Sequence, residues 1–360
     1  MKMNSQINVA FLAVSHPHVY TRADLLLEMP DVRLVAVWDE EDEVNAKIFA
    51  ERYSVERMKN VDELLARTDI DAVIIESWTQ NMSELAERAL RAGKKVLLEK
   101  PGGNSTSALR KLVATVEETK GYLTVGYMVR QNGTHERLKS LLASGALGRV
   151  TTARFHVSVP APDAITPWFN LETDIGGILF EDGCHMMDLI IDLFGRPKSV
   201  TAQIPKFEDL SLKHGHMYED AAVCTLAWPD MVATLTLVGW EANEWLETWE
   251  LGVFGDKGTV FAGPLPERFH VYLQAGDDQH SAGWTRHDAT QFNISWLDHE
   301  AKHVWHAVQH RSFYRAELEK FINGVRDGGV PEIPAAHALD VAETLQALYT
   351  AAREKRTVDL

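Results

Sequence analysis

The sequence predicts an α/β chain in two parts: a doubly wound parallel sheet, then an α+β domain with an open, mostly antiparallel sheet. Three observations carry this. The 360 residues exceed one average domain and suit two. The first 125 residues alternate short apolar runs with helical patterns, as parallel strands with right-handed crossovers require. From about residue 148, strands follow one another across tight turns, which makes neighbours antiparallel. The expected division is 1–125 and 126–360, with terminal helices that pack back on the first part.

Taken in order, residues 7–14 are the first strand, and a helix follows through Leu25, Leu26 and Leu27 to Met29-Pro30. Residues 32–38 (VRLVAVW) are a strand, and 45–53 and 61–66 are helices. Residues 71–76 (DAVIIE) are a strand, 82–92 a helix stopped by Gly93, and 95–99 (KVLLE) a strand. A helix at 105–119 and a strand at 123–127 close the part. Such near-continuous apolar strands suit a sheet covered on both faces. Beyond it, 150–159, 199–204, 221–228, 232–239, 248–254 and 259–262 read as strands. Their turns include Pro229-Asp230 and Gly255-Asp256-Lys257-Gly258. One helix, 177–194, interrupts them and stops at Gly195, with Pro197 beyond. Residues 310–354 are helical apart from a turn near Gly328-Gly329.

A net charge of −16 disfavours nucleic acid and anionic membranes, which both attract basic patches. No run of about 18 apolar residues is present, so no membrane span is expected. The first residues lack the pattern of a secretory leader. Two cysteines, Cys184 and Cys224, cannot build a disulfide framework, so a cytoplasmic setting is expected. A small-molecule enzyme or a protein-binding module remains.

The turn after the first strand reads Ala13-Val14-Ser15-His16-Pro17-His18, without the glycines that let backbone approach a pyrophosphate. It is either a plain strand–helix turn or an anion site. In the second case, free N–H groups, the Ser15 hydroxyl and His16 would serve, with Pro17 harmless in the first helical turn. Asp39 ends the second strand, 24 positions after Ser15. An acidic residue there bonds ribose hydroxyls. Residues Asp39, Glu40, Glu41, Asp42 and Glu43 would repel a 2′-phosphate, which favours NAD over NADP. Acids at a helix N-terminus also account for residues 40–43.

Six pieces, in order, resemble the Gfo/Idh/MocA oxidoreductases, the family of glucose–fructose oxidoreductase and inositol dehydrogenase. They are Trp38-Asp39; Glu99-Lys100-Pro101 after Ala92-Gly93-Lys94; Gly126-Tyr127-Met128-Val129-Arg130; residues 176–188 (GGILFEDGCHMMD); residues 251–258 (LGVFGDKG); and Phe321-Ile322-Asn323-Gly324-Val325 with Pro331 and the tail 356–360. The resemblance covers essentially the whole chain. It implies a Rossmann-type first domain, a bound NAD and hydride transfer on a sugar, cyclitol or derivative. The sequence departs from the family in lacking the glycines, in Ser77-Trp78-Thr79 where Thr-Pro-Asn is frequent, and in Glu181 where aspartate is usual.

Hydride transfer from a carbinol needs a base near the oxygen and a donor that steadies developing charge. Lys100 ends a parallel strand, where open sheets bind ligands, but by itself it reads more readily as a snorkelled surface lysine. Glu181 and His185 are spaced i, i+4 on one helix face, which Asp188 continues. That stripe suits a structural polar network or a base oriented by a carboxylate. The resemblance implies Lys100 and His185 as the acid–base pair, with Glu181 orienting His185 or meeting a substrate hydroxyl. The cofactor set is Ser15, His16, His18, Asp39, Ser77, Trp78, Glu99 and Lys100. The substrate set is Lys100, Arg130, Trp168, Glu181 and His185.

No metal is assigned. His303/His306 or His306/His310 could hold zinc, as could His16/His18, but packing accounts for them as well. Trp240, Trp245 and Trp249 suit a sheet buried between subunits, and Val223, Leu226, Leu235 and Leu237 put apolar groups on more than one face. A homo-oligomer, dimer or tetramer, is therefore expected. Two alternatives to a dehydrogenase stand: an NAD-retaining enzyme that cleaves glycosides by transient oxidation and elimination, and a non-enzymatic dinucleotide-binding protein.

Overall fold

A computed structural model of the chain describes residues 6–16, 18–39, 43–160, 177–209, 218–241, 249–264, 267–277, 280–288 and 305–360. Pro17, Glu40, Glu41, Asp42, Trp168, Trp245, His299 and His303 lie outside them, as do the side chains of Trp240, His306 and His310. The chain forms two compact units, Met1–Met128 with His303–Leu339, and Val129–Lys302 with Asp340–Leu360. The expected boundary at 125/126 is thus moved slightly, and residues 303–339 return to the first unit.

The first unit contains β1 (Ile7–Val14), α1 (Val19–Leu27), β2 (Val32–Trp38), α2 (Glu43–Tyr53), β3 (Glu56–Arg57), α3 (Val61–Ala66), β4 (Ala72–Glu76), α4 (Thr79–Arg91), β5 (Lys95–Glu99), α5 (Thr106–Thr119) and β6 (Leu123–Gly126). The sheet order is β3-β2-β1-β4-β5-β6, with every pairing parallel. Val9, Phe11, Ile74, Leu97 and their neighbours are wholly buried, as helices on both faces require. The strand order reverses direction between β1 and β4, and ligands bind such sheets at that point, at the carboxyl ends. Polar caps fix the helix starts: Asn60 accepts from the Asp62 N–H, and Ser105 from the Ala108 N–H.

The second unit contains α6 (Gly133–Ser144), β7 (Val150–Pro160), α7 (Ile178–Glu181), α8 (Gly183–Phe194), β8 (Ser199–Gln203), β9 (Ala221–Ala227), β10 (Val232–Glu241), β11 (Glu250–Gly255), β12 (Gly258–Pro264), β13 (Glu267–Leu273) and β14 (Gly283–Asp288). After α9 (Trp305–Asp327) of the first unit come α10 (Ala335–Glu354), in which the unit boundary falls, and β15 (Val358–Asp359). The nine strands run β14-β13-β12-β11-β7-β10-β9-β8-β15, antiparallel except for β7 beside β10. Strands β13, β14 and β15 were not predicted from the sequence, and neither was α6.

Two further expectations are corrected. Residues 177–194 are two helices, broken at Asp182 (φ −107°, ψ −40°). Gly183 lowers helix propensity at the break, and a Cβ there would meet Leu179 Cδ1 at 2.9 Å. The second correction concerns the sheet faces. Leu226, Leu235 and Leu237 all lie on the buried face, and of the four residues expected to make the sheet apolar on both sides only Val223 is exposed. Among the described residues, no helix is long and apolar enough to cross a membrane.

Asn132 starts α6 from a buried position. Its Oδ1 accepts from the His135 N–H at 2.8 Å and from the Thr134 hydroxyl, and its amide donates to the Val129 carbonyl. Asn132→Ala should lower stability by about 1–2 kcal/mol, the cost of a lost cap with a buried partner. Urea denaturation checks this, and an unchanged midpoint would mean the cap contributes nothing.

Candidate active site

In the first unit, the carboxyl ends of β1, β4 and β5 bring a dense polar group together. β4 and β5 are apolar strands that each finish on a glutamate, Glu76 and Glu99, both wholly buried. α1 sends Arg22 between them. Arg22 Nη1 donates to Glu76 Oε1 at 2.5 Å and to Glu99 Oε2, and its Nε donates to Glu317 Oε2 of α9 at 2.9 Å. The guanidinium carbon lies 5.0 Å from the Tyr314 ring centre. β6 makes room by ending on Gly126, where a Cβ would sit 2.6 Å from Arg22 Nη2.

One cation cannot ionise three buried carboxyls equally. Burial pushes Glu76 up to about 8 and Glu317 up to about 7, despite Arg22. At Glu99 burial acts in the same direction, but Arg22, His18 and His16 overcome it and hold the carboxyl well below its ordinary range. Burial lowers both His16 and His18, while the Glu99 carboxylate acts to raise them.

The turn after β1 differs from the sequence expectation. The Ser15 and His16 N–H groups both donate to the Glu76 carbonyl at 3.0 Å, so they are not offered to an anion. Ala13 takes φ +64°, a left-handed conformation glycine adopts freely and alanine at a cost of about 1 kcal/mol. Asp39 is nearly buried at the end of β2, and its Oδ2 accepts from the Val14 N–H at 2.7 Å and the Ser15 hydroxyl at 3.3 Å. The acid that would face a ribose also braces the turn. Ser77 is buried, and Trp78, half-buried, occupies the N-cap of α4. Lys100 follows β5 and is 3% exposed, which removes the surface-lysine reading.

In the second unit, Glu181 ends α7, while His185 lies on α8 beyond the break, so they do not share one continuous helix face. Both are buried, and the His185 ring lies 6.0 Å from that of Trp249. Trp249 is fixed by its indole N–H, which donates to the Ser158 carbonyl at 3.1 Å. Asp188 does not extend a catalytic stripe: Arg130 grips it with two hydrogen bonds, its Nε to Oδ2 at 3.1 Å and its Nη2 to Oδ1. Arg130 also lies 3.5 Å from Asp192, which accepts from Lys139 and pairs with His135 at 2.7 Å. The guanidinium predicted to meet a substrate is thus committed to two aspartates. Glu219 anchors the start of α7, accepting from the Leu179 N–H at 2.6 Å and the Tyr349 hydroxyl at 2.5 Å.

Sequence reading missed Arg22, Glu76, Glu317 and Glu219. A carboxylate closing a wholly apolar strand was the available signal for Glu76, because a buried acid requires a partner.

The sheet, its switch point and the acid closing β2 are the features of a dinucleotide-binding protein. The chain belongs to the Gfo/Idh/MocA oxidoreductase family. Residues 16–127 match that family's NAD-binding Rossmann fold and residues 139–360 its C-terminal alpha/beta domain. The inositol 2-dehydrogenase of Rhizobium meliloti is 25% identical over 335 residues, 92% of each chain. The oxidoreductase YdgJ of Escherichia coli is 25% identical over 362 residues, 99% of this chain and 100% of that protein. An Agrobacterium radiobacter oxidoreductase, solved with NAD+, L-tartaric acid and magnesium, has the same fold. Its TM-score is 0.82 at 20% identity, covering 99% of this chain and 98% of that one.

Arg22→Met would leave three carboxyls buried without their cation. It should cost about 3–5 kcal/mol, as breaking buried pairs does. Arg22→Met combined with Glu99→Gln should recover part of that loss, because the two changes touch one network. Urea unfolding of both variants checks it, and simple additivity would show that Glu99 is not the group Arg22 neutralises.

Proposed function

We propose that this NAD-binding oxidoreductase moves hydride between the nicotinamide and a hydroxyl or ketone of a sugar, cyclitol or sugar derivative. The observation that carries the reading is Lys100: a lysine kept 3% exposed at the carboxyl end of a strand in an NAD-binding sheet. The relationship to an inositol 2-dehydrogenase supports the substrate class. NAD, when bound, supplies the hydride acceptor for oxidation or the donor for reduction. Asp39, Ser15, Ser77 and Trp78 would hold it, with His16, His18 and Glu99 beside them.

The chain's own residues then handle the proton. In oxidation the His185 imidazole is the proposed acceptor of the hydroxyl proton, and Lys100 the proposed donor that steadies the developing charge. Glu181 orients His185 or holds a neighbouring hydroxyl. Arg130, through its grip on Asp188 of α8, serves as a positioning residue for the helix that carries His185. A site with this many donors and acceptors favours polyhydroxylated rings over simple alcohols, which would leave those groups unpaired.

Lys100→Ala and His185→Ala should each lower kcat by about 100-fold or more, the scale of general acid–base catalysis, with NAD binding nearly unchanged. Near-native turnover in either variant removes that residue from the mechanism. The assay is a panel of pyranosides, inositols, sugar acids and short alcohols read by NADH absorbance. Product formed without net NADH would instead favour the eliminating reading. Asp39→Ala should weaken NAD more than NADP, and a wild-type preference for NADP would overturn the cofactor assignment.

We also propose a homo-oligomer formed through the outer face of the second sheet. That face carries Phe254, Phe261, Tyr272 and Trp284 in mutual ring contact, with Arg154 over Phe261. Trp284 is 54% exposed in one chain, an unusual state for an indole among aromatics. Light scattering should give a multiple of 40.4 kDa, and a single-chain mass at micromolar concentration refutes the assignment.

A further inference from the structure

We infer that His16, His18 and Glu99 form a zinc site at the carboxyl ends of β1 and β5. The inference stands on the geometry of the first unit and does not rest on the proposed substrate or reaction. One ligand atom from each of the three residues lies within 4.8 Å of the other two. His18 Nδ1 and Glu99 Oε1 are 3.3 Å apart, both buried, and neither has an aligned hydrogen-bond partner. Two donors about 2.1 Å from a shared ion at a tetrahedral angle stand about 3.4 Å apart, whereas cis donors on an octahedral ion stand about 3.0 Å apart. The 3.3 Å between His18 Nδ1 and Glu99 Oε1 is close to the tetrahedral value.

Glu76, Glu99 and Glu317 crowd three buried carboxyls around Arg22. Glu76 Oε2 also lacks a hydrogen-bond partner and lies 3.6 Å from His16 Nδ1, so it lies beside the ligand set and can hold it in place. Two imidazoles and one carboxylate are a zinc donor set that leaves the fourth position for water or a ligand oxygen. The His18 side chain is 19% exposed while Glu99 is fully covered, so an ion reaches the site past His18.

The test uses the full chain, stripped of metal and free of nucleotide, titrated with Co2+. One equivalent should bring up the visible absorption of tetrahedral cobalt, and Zn2+ should abolish it by displacement. His18→Asn and Glu99→Gln should each weaken binding at least about tenfold, since even supporting residues of metal sites contribute 10- to 100-fold. His16→Asn gives a third, independent ligand deletion should Glu99→Gln fail to fold. His280→Ala, a buried histidine paired with Asp277 in the second unit, should leave the titration unchanged. Octahedral cobalt spectra, no binding at one equivalent, or binding that persists in both His16→Asn and His18→Asn would overturn the inference. Because no substrate or NAD enters the titration, its failure is separate from failure of the dehydrogenase reading.

Discussion

The first unit depends on one buried cation. Arg22 is among the largest wholly buried side chains, and an isolated guanidinium there would be prohibitively costly. Its three carboxylates come from β4, β5 and α9, so a single side chain from α1 ties strand ends to a helix made far later in the chain. The same contact decides which acid carries charge: Glu99 stays ionised beside the arginine and the histidines, while Glu76 and Glu317 are driven toward the protonated form. The residue before Lys100 is thereby a fixed anion in a fixed place.

The second unit solves a similar problem with separate anchors. Arg130 holds Asp188 in the middle of α8, and Glu219 caps the short α7 from outside. The break at Asp182 lets Glu181 and His185 leave the ideal helical relation, so their mutual orientation is set by tertiary packing and not by helix periodicity. Trp249, pinned to the Ser158 carbonyl, supplies one wall against the His185 ring.

Much of the architecture was legible because its signals are local. DAVIIE and KVLLE are apolar between a charged first residue and a closing glutamate, and both are interior strands of the parallel sheet. β14 was hard to read because GWTRHD carries one large apolar side chain, Trp284, and no alternation, whereas ERFHVYL does alternate through Phe269, Val271 and Leu273 and offered a signal that was passed over. β15 is two residues long and exists only through pairing with β8. The placement of Asp39 and Lys100 directly after strand ends was legible, because strand ends are marked locally. The site was illegible where partners lie far apart in sequence: nothing near Arg22 announces Glu317, and nothing near Arg130 announces Asp188. The free N–H groups expected in the first turn were already taken by the Glu76 carbonyl, a pairing set by the register of β1 on β4.

The span between Arg22 and Glu317 also bears on how the chain is made. They are 295 positions apart. At the usual pace of about 5–20 residues per second, a ribosome adds that length in about 15–60 s. For that interval the emerging N-terminal segment carries an arginine whose final partner has not been synthesised. The first unit, although begun at the N-terminus, is therefore completed only when α9 has been made and can pack on α1.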